Sequence, residues 1–226
     1  MKFLLTLLSS FFILGGVGAQ SAFQGFYGQL ATGYENNSVA NTSLTMNNNS
    51  NFPGGNNPSK GSMPLIFGAG YNFGINNQYL IGIGVDYSFF ETNIGNSWIN
   101  GPNTGEVNYK VSNRFNLFLA PGYAITRESL VYAKAGYSMQ TIKAEYTNGA
   151  DTANGSSMGS SNSNGYVLGL GYKQMVQKSF YLFTEANYYN YAKTTLNSTL
   201  RDTTVITNFS PTASAYNFLI GVGYKF

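Results

Sequence analysis

The sequence predicts an all-β fold, an eight-stranded antiparallel up-and-down β-barrel that crosses a membrane. Four observations carry this. Apolar and aromatic residues recur at every second position in eight segments, as in strands with one greasy face. Charged residues make up only 9% of the 226 positions and aromatics 16%, whereas a soluble domain carries a charged share of about 25%. No run of ~18 apolar residues offers a membrane helix. Finally, the connections between segments alternate long and short, which suits long extracellular loops and short periplasmic turns.

Taken in order, the chain opens with an export segment. Lys2 precedes an apolar run ending at Leu14, and Gly15-Gly-Val-Gly-Ala19 supplies small residues for cleavage before Gln20. The expected division is a signal peptide over 1–19 and a barrel domain over 20–226. The first strand spans Phe23 to Glu35, with Phe26, Leu30, Thr32 and Tyr34 on one face, and a polar loop follows over 36–61. The second, about 62–74, aligns Leu65, Phe67, Tyr71 and Phe73. A short turn over 75–78 leads to the third, where Tyr79, Ile81, Ile83, Val85, Tyr87 and Phe89 share a face.

A polar stretch over 92–105 holds the single tryptophan, Trp98. The fourth strand, about 107–124, places Val107, Tyr109, Val111, Phe115, Leu117 and Leu119 together, with Asn108, Lys110, Ser112, Arg114 and Asn116 opposite. After a turn over 126–129, the fifth strand sets Val131, Ala133, Ala135 and Tyr137 against Tyr132 and Lys134. A Ser/Asn/Gly loop fills 148–164. The sixth strand aligns Tyr166, Leu168, Leu170 and Tyr172, and a turn over 177–179 leads to the seventh, about 180–195. The last polar loop covers 196–210. The eighth strand ends the chain, with Tyr216, Phe218, Ile220, Val222, Tyr224 and Phe226 at alternate positions. Gly-Tyr pairs recur at 70–71, 122–123, 136–137, 171–172 and 223–224. In each the Tyr falls on the apolar face and the Gly inward, where it eases the curvature of a small barrel.

Eight alternating segments, the Val17-Gly-Ala19 export site and the terminal Tyr224-Lys225-Phe226 resemble the eight-stranded outer-membrane barrels of Gram-negative bacteria. These include the porin-family and opacity-type surface proteins and the membrane domain of OmpA-like proteins. The resemblance implies an outer-membrane location after export, with lipid and lipopolysaccharide as surroundings. It also implies that Ile220, Val222, Tyr224 and Phe226 form the signal read by the barrel-assembly machinery. The peptidoglycan-binding domain of full-length OmpA-like proteins has no counterpart within 20–226.

Parity puts Glu35, Asp86, Lys110, Arg114, Lys134, Lys173, Glu185 and Lys225 inside. An eight-stranded interior is just wide enough to be filled by side chains, so these charges must pair or meet water. The expectation is a structural ion-pair network, the alternative a narrow path plugged by Arg114 or Lys110 against Asp86 or Glu185. Cysteine is absent, which removes disulfides and a lipid-modified cysteine. Histidine is absent too, and the lipid A deacylases and palmitoyl transferases of this membrane use histidine with serine. No catalytic, cofactor or metal site is therefore expected. Formal net charge is +3, too small to argue for nucleic acid. The expected role is a surface-exposed structural or interaction protein, active in adhesion or envelope integrity through its loops, toward a host or cell-surface ligand. The alternative is a narrow channel or carrier for small solutes. Phe52, Trp98 and Ile99 are the apolar loop candidates for contact.

Overall fold

A computed structural model describes residues 21–40, 42–46, 50–99, 105–148, 156–199 and 206–226. The signal segment expected over 1–19 lies outside them. Strands β1 (Gly25–Ala40), β2 (Leu44–Met46), β3 (Ser50–Phe52), β4 (Ser59–Ser62), β5 (Leu65–Gly74), β6 (Tyr79–Ser88) and β7 (Thr92–Ile99) form the first half. The second half holds β8 (Gly105–Ala124), β9 (Ser129–Asn148), β10 (Ser156–Met175), β11 (Phe180–Tyr191), β12 (Leu196–Thr199), β13 (Ile206–Phe209) and β14 (Thr212–Lys225).

Eight of these make the barrel, in the order β14-β11-β10-β9-β8-β6-β5-β1, and β14 pairs back onto β1 to close it. Every pairing is antiparallel. Closure removes both sheet edges, which a barrel in lipid requires because no water is present to satisfy an open edge. The short turns after β5, β8 and β10 lie at one end, each closed by backbone bonds such as Ile75 N–H to Tyr79 O and Val176 N–H to Phe180 O. Phe226 N–H donates to Phe26 O, so the last strand is tied to the first at this same end.

Beyond the expected barrel, the wall continues. β8, β9 and β10 are each 20 residues long, twice what the bilayer needs. β1 runs on to Ala40, β7 adds to β8, and β4 adds to β1. The stretches expected as loops over 36–61, 92–105 and 148–164 thus contain strand. Segment 156–165 shows no apolar alternation of its own; it is ordered because β9 offers it a template, from Ser156↔Thr147 to Gly165↔Ser138. Above the far end, β12, β13, β2 and β3 form a small separate sheet.

The lipid-facing band is apolar and aromatic, as in Ile81, Ile83 and Val85 of β6. From Tyr79 to Phe89 it rises roughly 25 Å at a strand tilt near 40°. Above it the pattern inverts. In β9 the outward residues change from Val131, Ala133, Ala135 and Tyr137 to Thr141, Lys143 and Glu145, while inward positions become Ile142, Ala144 and Tyr146. The lower barrel has an apolar outside because it meets lipid. The extension, roughly 20 Å taller on β9 by the same geometry, has an apolar inside because it meets water.

The inversion in β8 needs an extra residue. Ser112 pairs with Thr141 but Phe115 with Met139, so β8 carries a bulge, and Asn113 takes the left-handed φ of 53° within it. Asn tolerates this region better than most residues. Tyr87 OH donates to Asn113 Oδ1 at 2.8 Å and holds the bulge at the top of the lipid band. The extra residue swaps the faces of everything above it.

Candidate functional site

The interior is stacked in three layers. At the short-turn end an apolar layer joins Phe23, Tyr27, Leu80, Leu130, Tyr181 and Phe183. In the extension a second apolar layer joins Ile94, Val107, Tyr109, Ile142, Tyr146 and Tyr189 with their neighbours. Between them lies the charged layer.

The inward rings fit because the strand alongside offers glycine. Tyr181 lies opposite Gly223, Tyr132 opposite Gly171, and Phe118 between Gly84 and Gly136. A Cβ at any of these glycines would collide with the facing ring or its backbone. The inward glycines thus make room for aromatic rings, a role beyond the easing of curvature.

In the charged layer, Arg114 donates to Glu35 Oε2, to Asn37 Oδ1 at 2.7 Å and to Gln140 Oε1 at 3.2 Å. Its guanidinium lies 4.5 Å from the centre of the Tyr189 ring. Lys134 Nζ donates to Asp86 Oδ2 at 2.7 Å and Glu185 Oε1 at 2.9 Å. Glu185 also accepts from Tyr132 OH at 2.6 Å and Asn187 Nδ2 at 2.8 Å. Asn116 donates to Asp86. Asn187 reaches Asn217 at 2.9 Å, and Asn217 reaches Glu35 at 3.2 Å. One continuous network therefore crosses the barrel from Asp86 to Arg114. Its amides and tyrosines were not singled out in the sequence, although the same parity places them inside.

Lys173 is buried and makes no ion pair among the described residues. Its Nζ sits over the Tyr27 ring at 4.2 Å, with Tyr181 at 5.0 Å and Tyr132 at 5.1 Å. Among the described residues the buried charges are then Glu35, Asp86 and Glu185 against Arg114, Lys134 and Lys173. They cancel, which suits a site out of reach of counterions.

Two expected members are elsewhere. Lys110 is outside: the bulge at Asn113 reverses its face, and it pairs with Glu145 at 3.1 Å on the water-exposed wall. For the same reason Val107, Tyr109 and Val111, expected toward lipid, are inside. Lys225 sits half-buried at the short-turn rim and makes no ion pair among the described residues. The plug pairing expected for Arg114 with Asp86 or Glu185 is replaced by Arg114 with Glu35. At the terminus, Ile220, Val222, Tyr224 and Phe226 all face outward, and Phe226 is 71% exposed.

Two small voids lie inside among the described residues. One void of about 10 Å³ lies beside Tyr27, Lys173 and Glu185, and another of about 10 Å³ beside Glu35 and Arg114. Each has room for about one water. A groove of about 500 Å³ lies on the lipid-facing wall, where Thr184 and Ala186 are flanked by Leu170, Tyr172, Phe218 and Ile220. Among the described residues the acids near the upper rim are engaged: Glu91 with Lys143 at 2.7 Å, Glu145 with Lys110, and Glu106 with Asn96 at 2.5 Å. The hydrogen bond from Lys143 holds the Glu91 carboxyl below its usual range. Trp98 is 57% exposed, its backbone fixed by Gly55 and Asn56. The side chains of Phe52 and Ile99 lie outside the described residues.

Solved structures share this architecture. OprG, an outer membrane protein of Pseudomonas aeruginosa, aligns with a TM-score of 0.62 at 14% identity, over 90% of this chain and 96% of its own. The fold is that of an outer-membrane β-barrel. The outer membrane protease OmpT of Escherichia coli aligns with a TM-score of 0.54 at 8% identity, over 95% and 99% of the two chains. Ail, the attachment invasion locus protein of Yersinia pestis, aligns with a TM-score of 0.43 at 15% identity, over 90% and 99%. No protein-family model matches the sequence, and no curated protein does. At such identities the likeness speaks for the fold and leaves the role to the chain's own residues.

Proposed function

We propose that this barrel is a surface-exposed structural and interaction protein of the outer membrane, without catalysis, exported by a signal peptide over 1–19. The filled interior carries the proposal. Two apolar layers flank a charge-neutral layer, and the two voids beside its charges hold about one water each, so the interior formed by the described residues leaves little room for a hydrated solute. The extension supports the same reading. Its apolar core makes the upper wall a rigid pedestal that carries the loops and Trp98 clear of the membrane. Adhesion or envelope support asks for such a pedestal and needs no lumen.

Conductance tests this directly. Purified protein refolded into planar bilayers is expected to remain silent at moderate voltage. Steady, reproducible openings would overturn the reading in favour of the narrow channel. A second expectation concerns assembly. We infer that Phe226, with Tyr224, Val222 and Ile220, presents the signal to the barrel-assembly machinery. Deleting Phe226 is expected to lower the outer-membrane level severalfold while export and signal cleavage continue. Normal membrane levels would mean that Phe226 is one lipid-facing side chain among many.

A further inference from the structure

The outward wall above the lipid band is not uniform around the barrel. Among the described residues, the side made by β7, β8 and β9 carries Glu91, Glu106, Lys110, Lys143 and Glu145, and two exposed lysines stand apart from it, Lys60 on β4 and Lys193 just past the end of β11. With three acids and two bases, that side is net negative. On β10, β11, β14 and β1 the outward residues between the tyrosines and the strand ends carry no charge.

This neutral side has a definite construction. Tyr166, Tyr188, Tyr216 and Tyr34 stand on its four successive strands at the upper edge of the lipid band. Tyr188 pairs directly with Tyr216, and the Tyr34 and Tyr216 rings are 6.2 Å apart. Above them come Asn164, Asn190, Ser214 and Asn36. Asn164 and Asn190 stand two residues past Tyr166 and Tyr188, roughly 5 Å higher. Asn36 accepts from Ser59 at 2.8 Å and Ser38 at 3.2 Å, so the amides and hydroxyls form ladders. Directly beneath, Leu168, Leu170, Phe218 and Ile220 face lipid.

We propose that this neutral flank is a docking surface for the sugar headgroup of an outer-leaflet glycolipid, lipopolysaccharide. The assignment rests on the outer-membrane orientation adopted above, and three features of the flank single out this partner. The surface is continuous with the lipid-facing wall, so a lipid whose chains pack on Leu168 and Phe218 places its headgroup here. Tyrosine rings offer faces for sugar C–H groups, and amides and hydroxyls both donate to and accept from sugar hydroxyls. The flank also lacks the carboxylates that make the β7–β9 side repel an anionic glycolipid. A phospholipid headgroup has no ring to lie across the tyrosines and few hydroxyls to meet the ladders.

The test uses the mature barrel refolded in detergent, titrated with purified lipopolysaccharide and followed by native mass spectrometry. Wild type is expected to retain lipopolysaccharide against excess phosphatidylglycerol. The pair Asn164→Asp with Asn190→Asp places two carboxylates at the surface and is expected to weaken retention about thirtyfold. The pair Asn164→Ala with Asn190→Ala removes only the amides and is expected to weaken it less, yet measurably. Asn93→Asp on the charged side is expected to leave it unchanged. Unaltered heat-modifiable mobility confirms that each variant is folded. Displacement by phosphatidylglycerol, wild-type retention in the alanine pair, or an equal loss from Asn93→Asp would overturn the assignment. A conducting barrel that binds lipopolysaccharide as expected would sink the filled-lumen reading alone. A silent barrel indifferent to lipopolysaccharide would sink this inference alone.

Discussion

Replacing Lys134 by methionine is expected to destabilise the folded barrel by about 3–5 kcal/mol, measured by reversible denaturant unfolding in lipid or detergent. Methionine keeps most of the side-chain volume and its contact with Phe118, so little of the loss is packing. What disappears is the one cation held by both Asp86 and Glu185. Each carboxylate keeps its neutral donors, Asn116 for Asp86 and Tyr132 with Asn187 for Glu185. Neither finds a new cation, because Lys173 is engaged over three tyrosine rings and Arg114 belongs to Glu35. A rescue separates charge from packing. Adding Asp86→Asn and Glu185→Gln to Lys134→Met is expected to recover most of the loss, since neutral groups of similar shape replace a buried ionic cluster at little cost. A loss below about 1 kcal/mol in the single variant would show that water reaches this layer and screens it. A triple variant as unstable as the single would assign the loss to packing.

Of the eight charges that parity places inside, six are buried. Glu35, Asp86, Arg114, Lys134, Lys173 and Glu185 are each an even number of positions from glycines or polar residues on the face away from lipid. The lipid face was equally plain where strands are short and regular, as in β6. Three things were not legible by counting in twos. Lys110 was misplaced because the count ran through Asn113, and nothing in the residue type announces an extra residue in a strand. Segment 156–165 looked like a loop because Ser, Asn and Gly occupy both of its faces; its order comes from pairing with β9, a tertiary effect. The apolar layer of the extension was hidden because a single environment was assumed along each strand. One signal for it did exist. In β9 the apolar parity changes between Met139 and Ile142, and a reader who lets the outside change from lipid to water would expect that reversal. The partners of each charge were beyond reach. Parity says inside, but only register brings Glu35 of β1 to Arg114 of β8.

Asn113 turns that misplacement into a test. If it adopted an extended conformation in a strand of the same length, alternation would send Val107, Tyr109 and Val111 outward and Lys110 inward. Exposing those three side chains to water costs roughly 1.5–3 kcal/mol each, and burying the lysine costs more. A left-handed residue costs about 1–2 kcal/mol, and less for Asn. The bulge is thus the cheaper state by several kcal/mol, and the chain keeps it. A graded series follows. Asn113→Gly is expected to stay within about 1 kcal/mol of wild type, glycine's ease at positive φ offsetting the lost bond to Tyr87. Asn113→Val is expected to cost about 2 kcal/mol, because a β-branched residue resists that conformation. Asn113→Pro cannot reach φ near 53° at all and is expected to cost at least about 3 kcal/mol. The damage should be local. Protease is expected to cut within 105–112 in the proline variant, while the lipid band and the Lys134 layer keep their heat-resistant mobility. Equal stability across glycine, valine and proline would mean that the faces of β8 are set by something other than the bulge. Global loss of the barrel in the valine variant would mean that extension and membrane band fold as one unit, leaving no independent pedestal beneath the loops.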